Sequence, residues 1–254
     1  MPSLALKASI NYPFIGGSSA PVDPLLNQLL AFYSCAGTIA DITGNGNDLG
    51  PQDALGNNPS YVSNSRLKIG NITSAFSAQT NILNQTNDYT MICWLSSYDP
   101  YSNTIACYNI GDTAGGGIGV SIFDTPTGVK RVCASNDNGD NNQVAGFNRS
   151  SPIDPFFATL ALSTPTFFVT TYTGSTQLLT FSGQNISGTK SNSVTLSVVN
   201  DNTGGWTFAL GDLSQNGRFA QSPQVRTVGI WQRVLTGSEI TRLYNSGTPL
   251  NYPF

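Results

Sequence analysis

From residue 29 to residue 235 the chain alternates short runs of β-branched and aromatic residues with clusters of Gly, Asn, Asp and Pro. Runs of that kind bounded by turn-forming residues are the signature of strands. The pattern predicts strands over 89–96, 104–108, 117–123, 130–134, 166–172, 177–182, 194–199, 206–210 and 224–232. Turn chemistry separates them at Tyr98-Asp99-Pro100, 112–116, 125–128, 136–142, Gly174-Ser175 and 201–205. Many short strands at this spacing predict a β-sandwich or a barrel.

One helix breaks the rhythm. Thr236 and Glu239 have the spacing of a capping box, in which each side chain satisfies the other residue's backbone N–H. Ile240, Leu243 and Tyr244 then share a face, and Gly247 suits the C-terminal cap of a helix over 238–246. Residues 1–24 are different in kind. Pro2, Pro13, Pro21, Pro24 and Gly16-Gly17 resist regular structure. Leu4, Leu6, Ile10, Tyr12, Phe14 and Ile15 are nonetheless too apolar for a solvated tail. The expected division is an N-terminal arm over 1–24 that makes intermolecular contacts, and a single domain over 25–254. Asn-Tyr-Pro-Phe stands both at 11–14 and at 251–254. Chance and docking of both segments into equivalent aromatic slots are both open.

Composition narrows the classes. A hydrophobic share of 39% can fill a core, while the charged share is 10%, far below the roughly one quarter of ordinary soluble domains. With 25 Asn and 26 Gly, polarity comes from amides and hydroxyls. The net charge of −3 and scattered basic residues argue against nucleic acid, which needs clustered Lys and Arg. No window matches the ~18 apolar residues of a membrane helix, and residues 1–14 lack the continuous apolar core of a signal peptide. Synthesis in a cytoplasm without a cleaved signal is the expectation. Cys35, Cys93, Cys107 and Cys133 are far apart in sequence. Free buried thiols are expected, with a Cys93–Cys107 bridge between neighbouring strands as the alternative under oxidising conditions.

The absences carry chemistry. With no His, neither Ser-His-Asp nor Cys-His catalysis can be assembled within the chain, and no His-ligated metal site can form. The one glutamate, Glu239, is taken by the helix cap, and the aspartates mostly sit beside Gly, Asn or Pro in turns. No phosphate-binding loop is present. The expectation is a non-enzyme.

Four segments resemble, in order, the laminin G-like jelly rolls of the concanavalin A-like lectin/glucanase superfamily. Residues 29–33 followed by Asp41-Ile42-Thr43-Gly44-Asn45-Gly46-Asn47-Asp48 are similar to that family's opening strand and DxSGNGND loop. Residues 89–94 resemble its "FTISAW" strand, 167–184 its "VTYDGST…VNG" hairpin, and 228–247 its "VxIWxRxLTxxEIxxLYNxG" ending. The resemblance covers about residues 29–250 and implies an all-β, two-sheet antiparallel jelly-roll sandwich with one short C-terminal helix. It also implies Trp94 and Trp231 in the core. The Glu-x-Asp-x-x-Glu set of the family's glucanases is missing. Related domains can hold calcium on the loop that here carries Asp41, Asn45, Asn47 and Asp48. Arg226 stands where those domains have an aspartate, which disfavours the ion and suggests a pairing with Asp41 or Asp48 instead. No other cofactor is implied.

For ligand binding the sequence offers rim aromatics and loop amides: Tyr98, Tyr101 and Trp206, with Asn136, Asp137 and Asp140 in a polar turn. These features suit a non-catalytic surface module. One form is a bacteriophage virion protein (capsid decoration, fibre or tail component), made in the host cytoplasm, homo-oligomeric, and joined to its own subunits or other virion proteins through residues 1–24. Surface glycans are its further expected partner. The alternative is a carbohydrate-binding adhesion domain of a bacterial cell-surface protein.

Overall fold

Tyr89, Met91, Cys93 and Leu95 alternate with Thr90, Ile92 and Trp94 along one strand, and all seven are buried. A strand apolar on both sides belongs in the middle of a sheet covered on both faces. The computed structural model describes residues 22–35, 38, 40–53, 60–62, 66–68, 74–78, 82–83, 86–97, 104–110, 117–124, 130–135, 144–148, 165–186, 188–196, 207–211 and 224–254. These form mostly antiparallel β-sheet with one short α-helix.

In chain order the strands are β1 (Leu29–Tyr33), β2 (Gly50–Asp53), β3 (Ser60–Val62), β4 (Arg66–Lys68), β5 (Ser74–Ala78), β6 (Tyr89–Ser97), β7 (Thr104–Ile110) and β8 (Gly117–Asp124). Then come β9 (Lys130–Ser135), β10 (Val144–Asn148), β11 (Thr166–Thr173), β12 (Leu178–Asn185), β13 (Gly188–Thr195), β14 (Thr207–Gly211) and β15 (Gln224–Trp231). One sheet has the order β13-β12-β11-β6-β15-β4-β3, with β1 also paired to β15. The other has the order β10-β9-β8-β7-β14-β5-β2. Strands β8, β9 and β10 of the second sheet approach β11, β12 and β13 of the first. Each strand predicted from the pattern coincides with an observed one to within a few residues, except over 194–199. There the strand instead runs Gly188–Thr195, earlier and almost wholly polar.

The register sorts the first sheet's side chains onto two faces. Tyr172 lies opposite Tyr89, Thr170 opposite Met91, and Phe168 opposite Cys93, with Val228 and Ile230 facing Cys93 and Met91 across β15. All of these side chains are buried. The other face carries Ile92, Trp94, Phe167, Val169, Phe32 and Trp231, which form a cluster with Leu25, Leu235 and Leu243. Both expected core tryptophans are therefore in the core.

That second face is covered by α1 (Gly237–Tyr244). Thr236 and Glu239 form the predicted capping box, and Leu243 is buried beneath the helix. Tyr244 stacks on Trp94 with ring centroids 5.6 Å apart and planes 7° from parallel. The helix thus covers part of a sheet face. Its C-cap differs: Asn245, at φ 43°, takes the left-handed position, two residues before the expected Gly247. Asn tolerates that conformation better than most non-Gly residues. Ahead of β1, Asp23 caps a single 3-10 turn, Pro24–Leu26, and pairs with Arg242 of α1.

Candidate binding face

The helix covers only half of its sheet face. Beyond β6 the same face continues over β11, β12 and β13, where the side chains change character. Opposite one another across the strands stand Thr171, Thr180 and Ser193; then Val169, Ser182 and Ser191; then Phe167, Gln184 and Thr189. Thr173, Leu178 and Thr195 complete the outermost row. Thr171, Thr173, Thr180, Ser182 and Gln184 are partly exposed, while Thr189, Ser191, Ser193 and Thr195 are exposed. Strand and pleat geometry repeats these groups about every 4.8 Å across the strands and about 6.7 Å along them. No charged side chain is among them. Lys190 faces Gly183, so its position belongs to the opposite face.

The alternation explains how such a face forms. Leu179 and Phe181 are buried on one side of β12, while Thr180, Ser182 and Gln184 point the other way. Strand β13 has almost no apolar residues of its own and is held by eight paired positions along β12. Each hydroxyl can donate one hydrogen bond and accept two, and Gln184 adds an amide. The result is a neutral grid of donors and acceptors.

The loop expected as a possible calcium site is assembled, but around the backbone. Asp41 Oδ1 accepts hydrogen bonds from the N–H of Phe32 (3.1 Å), the N–H of Thr43 (3.1 Å) and the Thr43 hydroxyl (2.7 Å), and Oδ2 accepts from the N–H of Asn47 (3.2 Å). Asp48 Oδ1 accepts from the N–H of Asp41 at 2.8 Å. Asn45 Nδ2 donates to the carbonyls of Leu29 and Leu30, and Asn47 Nδ2 to that of Leu30. The Ile42 N–H donates to the Phe32 carbonyl at 3.0 Å. Phe32 thus spends both backbone groups on the loop, so the loop occupies the edge of β1 that faces away from β15. Gly44 and Gly46, at φ 80° and 81°, supply the left-handed turns that bring it round. Asp41 and Asp48 thus take N–H and O–H donors of the loop and β1, and Arg226 lies on β15 at a break in its register with β6. Among the described residues no group of three or more His, Cys, Asp and Glu side chains is placed to hold a metal ion.

Tyr98, Tyr101, Asn136, Asp137, Asp140 and Trp206 lie outside the described residues. Cys93 is a free, buried thiol, as is Cys35, so the Cys93–Cys107 bridge is not formed. Burial pushes Cys35 up to about 12 and raises Cys93 too, where the neighbouring Cys35 adds to the effect. Both stay protonated at neutral pH, which leaves neither as a ready nucleophile. Among the described residues no helix is long and apolar enough to cross a membrane.

No family model matches the chain, and no curated protein matches it. Solved structures do. Domain 4 of an extracellular GH43 arabinanase from Geobacillus stearothermophilus, solved in complex with arabinotriose, aligns with a TM-score of 0.57 at 15% identity over 85% of this chain and 98% of that domain. The binding domain of botulinum neurotoxin serotype D aligns with a TM-score of 0.56 at 11% identity, over 87% of this chain and 52% of that one. The enzymatically active domain of bacteriophage CBA120 tailspike protein 2 aligns at 0.54 and 12% identity, over 77% and 30%. The chain therefore spans about half or less of the toxin and tailspike chains. At such identities the likeness is one of fold.

Proposed function

We propose that this chain is a non-catalytic, glycan-binding module on a concanavalin A-like jelly-roll sandwich, carried on the surface of a bacteriophage virion as a capsid decoration, fibre or tail component. The carrying observation is the uncharged hydroxyl and amide face that β12, β13 and the end of β11 leave exposed or partly exposed. Sugar hydroxyls, like those of Ser and Thr, donate and accept, so a neutral glycan can exchange water for this face with few polar groups left unmatched. The sandwich reading draws support from a first sheet whose central strand, β6, is buried on both sides, with the second sheet close beside it. An arabinotriose-bound domain of nearly the same extent supports the ligand class, and a phage tailspike among the neighbours supports the setting. Residues 1–24 are the proposed attachment to other subunits. The absence of His from the whole chain and the protonated, buried Cys35 and Cys93 support binding without turnover.

A panel of neutral polysaccharides tests this. Ser182→Arg and Ser193→Arg each place a bulky charge on the grid without touching the core. Each is expected to weaken binding at least tenfold while the circular dichroism spectrum is unchanged. Undiminished binding in both variants would remove this face from the site.

A further inference from the structure

Beyond α1 the chain folds back over the apolar half of the sheet. Leu250, Tyr252 and Phe254 pack on the cluster beneath. The Tyr252 ring lies 6.0 Å from that of Phe32, and the Phe254 ring lies 5.1 Å from Phe32 and 6.5 Å from Trp231. Gly229 makes room for this floor: a Cβ there would stand 2.6 Å from the Trp231 ring and 3.0 Å from that of Phe32. Phe32 and Trp231 are buried, whereas Tyr252 and Phe254 are only partly so. The arrangement is a shallow slot holding a Tyr-Pro-Phe segment through ring contacts.

The same tetrapeptide recurs as Asn11-Tyr12-Pro13-Phe14, and the chain that carries it arrives beside the slot. Leu25 belongs to the same cluster, and its carbonyl accepts a hydrogen bond from Trp231 Nε1 at 2.7 Å. Arg242 holds Asp23 close by, with Nη1 2.9 Å from Oδ1. Only residues 15–21 separate Phe14 from Val22, and they include Gly16-Gly17-Ser18-Ser19. A Gly/Ser-rich linker of that length has an r.m.s. span of roughly 15 Å and reaches about 25 Å at full extension. Its ligand is then held near the slot at an effective concentration on the order of millimolar.

We propose that residues 11–14 compete, within the same chain, with residues 251–254 for the slot of Phe32 and Trp231. One Asn-Tyr-Pro-Phe copy is docked while the other is presented outward. The exchange replaces one Tyr and Phe pair by another, so the two states lie close in free energy. A partner that takes up the outward copy biases them. The inference stands independently of glycan binding.

Phe14→p-benzoylphenylalanine in the full chain, irradiated and mapped by mass spectrometry, tests it. The expected crosslinks run within the monomer to peptides containing Phe32 or Trp231, and their yield rises severalfold when Tyr252→Ala and Phe254→Ala empty the slot. Crosslinks that land elsewhere, that appear only in a dimer, or that ignore the tail substitutions overturn the proposal. Should the tail variant fail to fold, competition on the otherwise unaltered chain decides. A synthetic peptide of residues 9–16 in excess is expected to suppress the crosslink tenfold, and an unaffected yield counts against the slot.

Discussion

Asp41 is buried and accepts four hydrogen bonds through two oxygens. Three of the donors are backbone N–H groups of β1 and the loop, and a carboxylate makes the stronger class of acceptor. Asp41→Ala is expected to cost about 2–4 kcal/mol in denaturant unfolding; a loss below about 0.5 kcal/mol would mean that water replaces the carboxylate freely. Glu239 is the second decisive single residue. Hydrogen bonds from the Arg233 guanidinium, then from the Thr236 N–H and hydroxyl, hold its carboxyl at about 2, down from 4.5. The folded state therefore binds this proton less readily than the unfolded chain, so the stabilisation is complete above about pH 4.5 and lost as pH falls towards 2. The Tm difference between the natural chain and Glu239→Gln is expected to be largest near neutrality and to shrink across that window. A difference constant from pH 7 to 2 would show that the pair contributes nothing through charge. The sequence exposed Glu239 as the cap because a capping box has fixed spacing. It did not expose Asp41 as the closure of a strand edge, since local spacing does not say which backbone a loop will meet.

At the scale of elements, apolar alternation was a reliable guide where a strand buries at least one face. Strands β6, β11 and β15 were legible for that reason. Strand β13 was not: Thr189, Ser191, Ser193 and Thr195 offer no hydrophobic period, and the strand exists because β12 lends it a ladder of backbone hydrogen bonds. The candidate face was missed with it. A signal was present in β12, where Thr180, Ser182 and Gln184 alternate with buried Leu179 and Phe181, but one strand's polar side is ordinarily just its solvent side. What sets this one apart is that neighbouring strands present hydroxyls in register, which only the pairing reveals. The helix was legible apart from its bounds, running Gly237–Tyr244 rather than over 238–246, and the residue at its C-cap. Its anchoring to the sheet rests on Leu243, buried in the same cluster as Trp94, and on Tyr244, stacked on Trp94. Leu243→Ala is expected to lower stability by about 2–4 kcal/mol. A loss under about 1 kcal/mol would show that the helix caps the sheet loosely and that its side chains re-pack into the gap.

At the scale of the whole molecule, what matters is how little charge the chain carries. With 10% charged residues and a net charge of −3, its long-range field is weak, and the grid of β11, β12 and β13 adds no ion of its own. Recognition through that face must come from short-range hydrogen bonds and from the exclusion of water, neither of which salt screens. Between about 50 mM and 500 mM salt the Debye length falls roughly threefold, so any contribution from exposed ion pairs would fade visibly over the same range. Affinity for a neutral glycan is expected to change less than twofold, as measured by calorimetric titration, with no release of reducing sugar over the same hours. A tenfold loss in high salt would point to charged groups, and so away from this face. Hydrolysis abolished by a single Asp→Asn substitution would instead establish catalysis, since a pair of Asp carboxylates is an acid–base set that a chain without His and with a single, cap-bound Glu can still assemble.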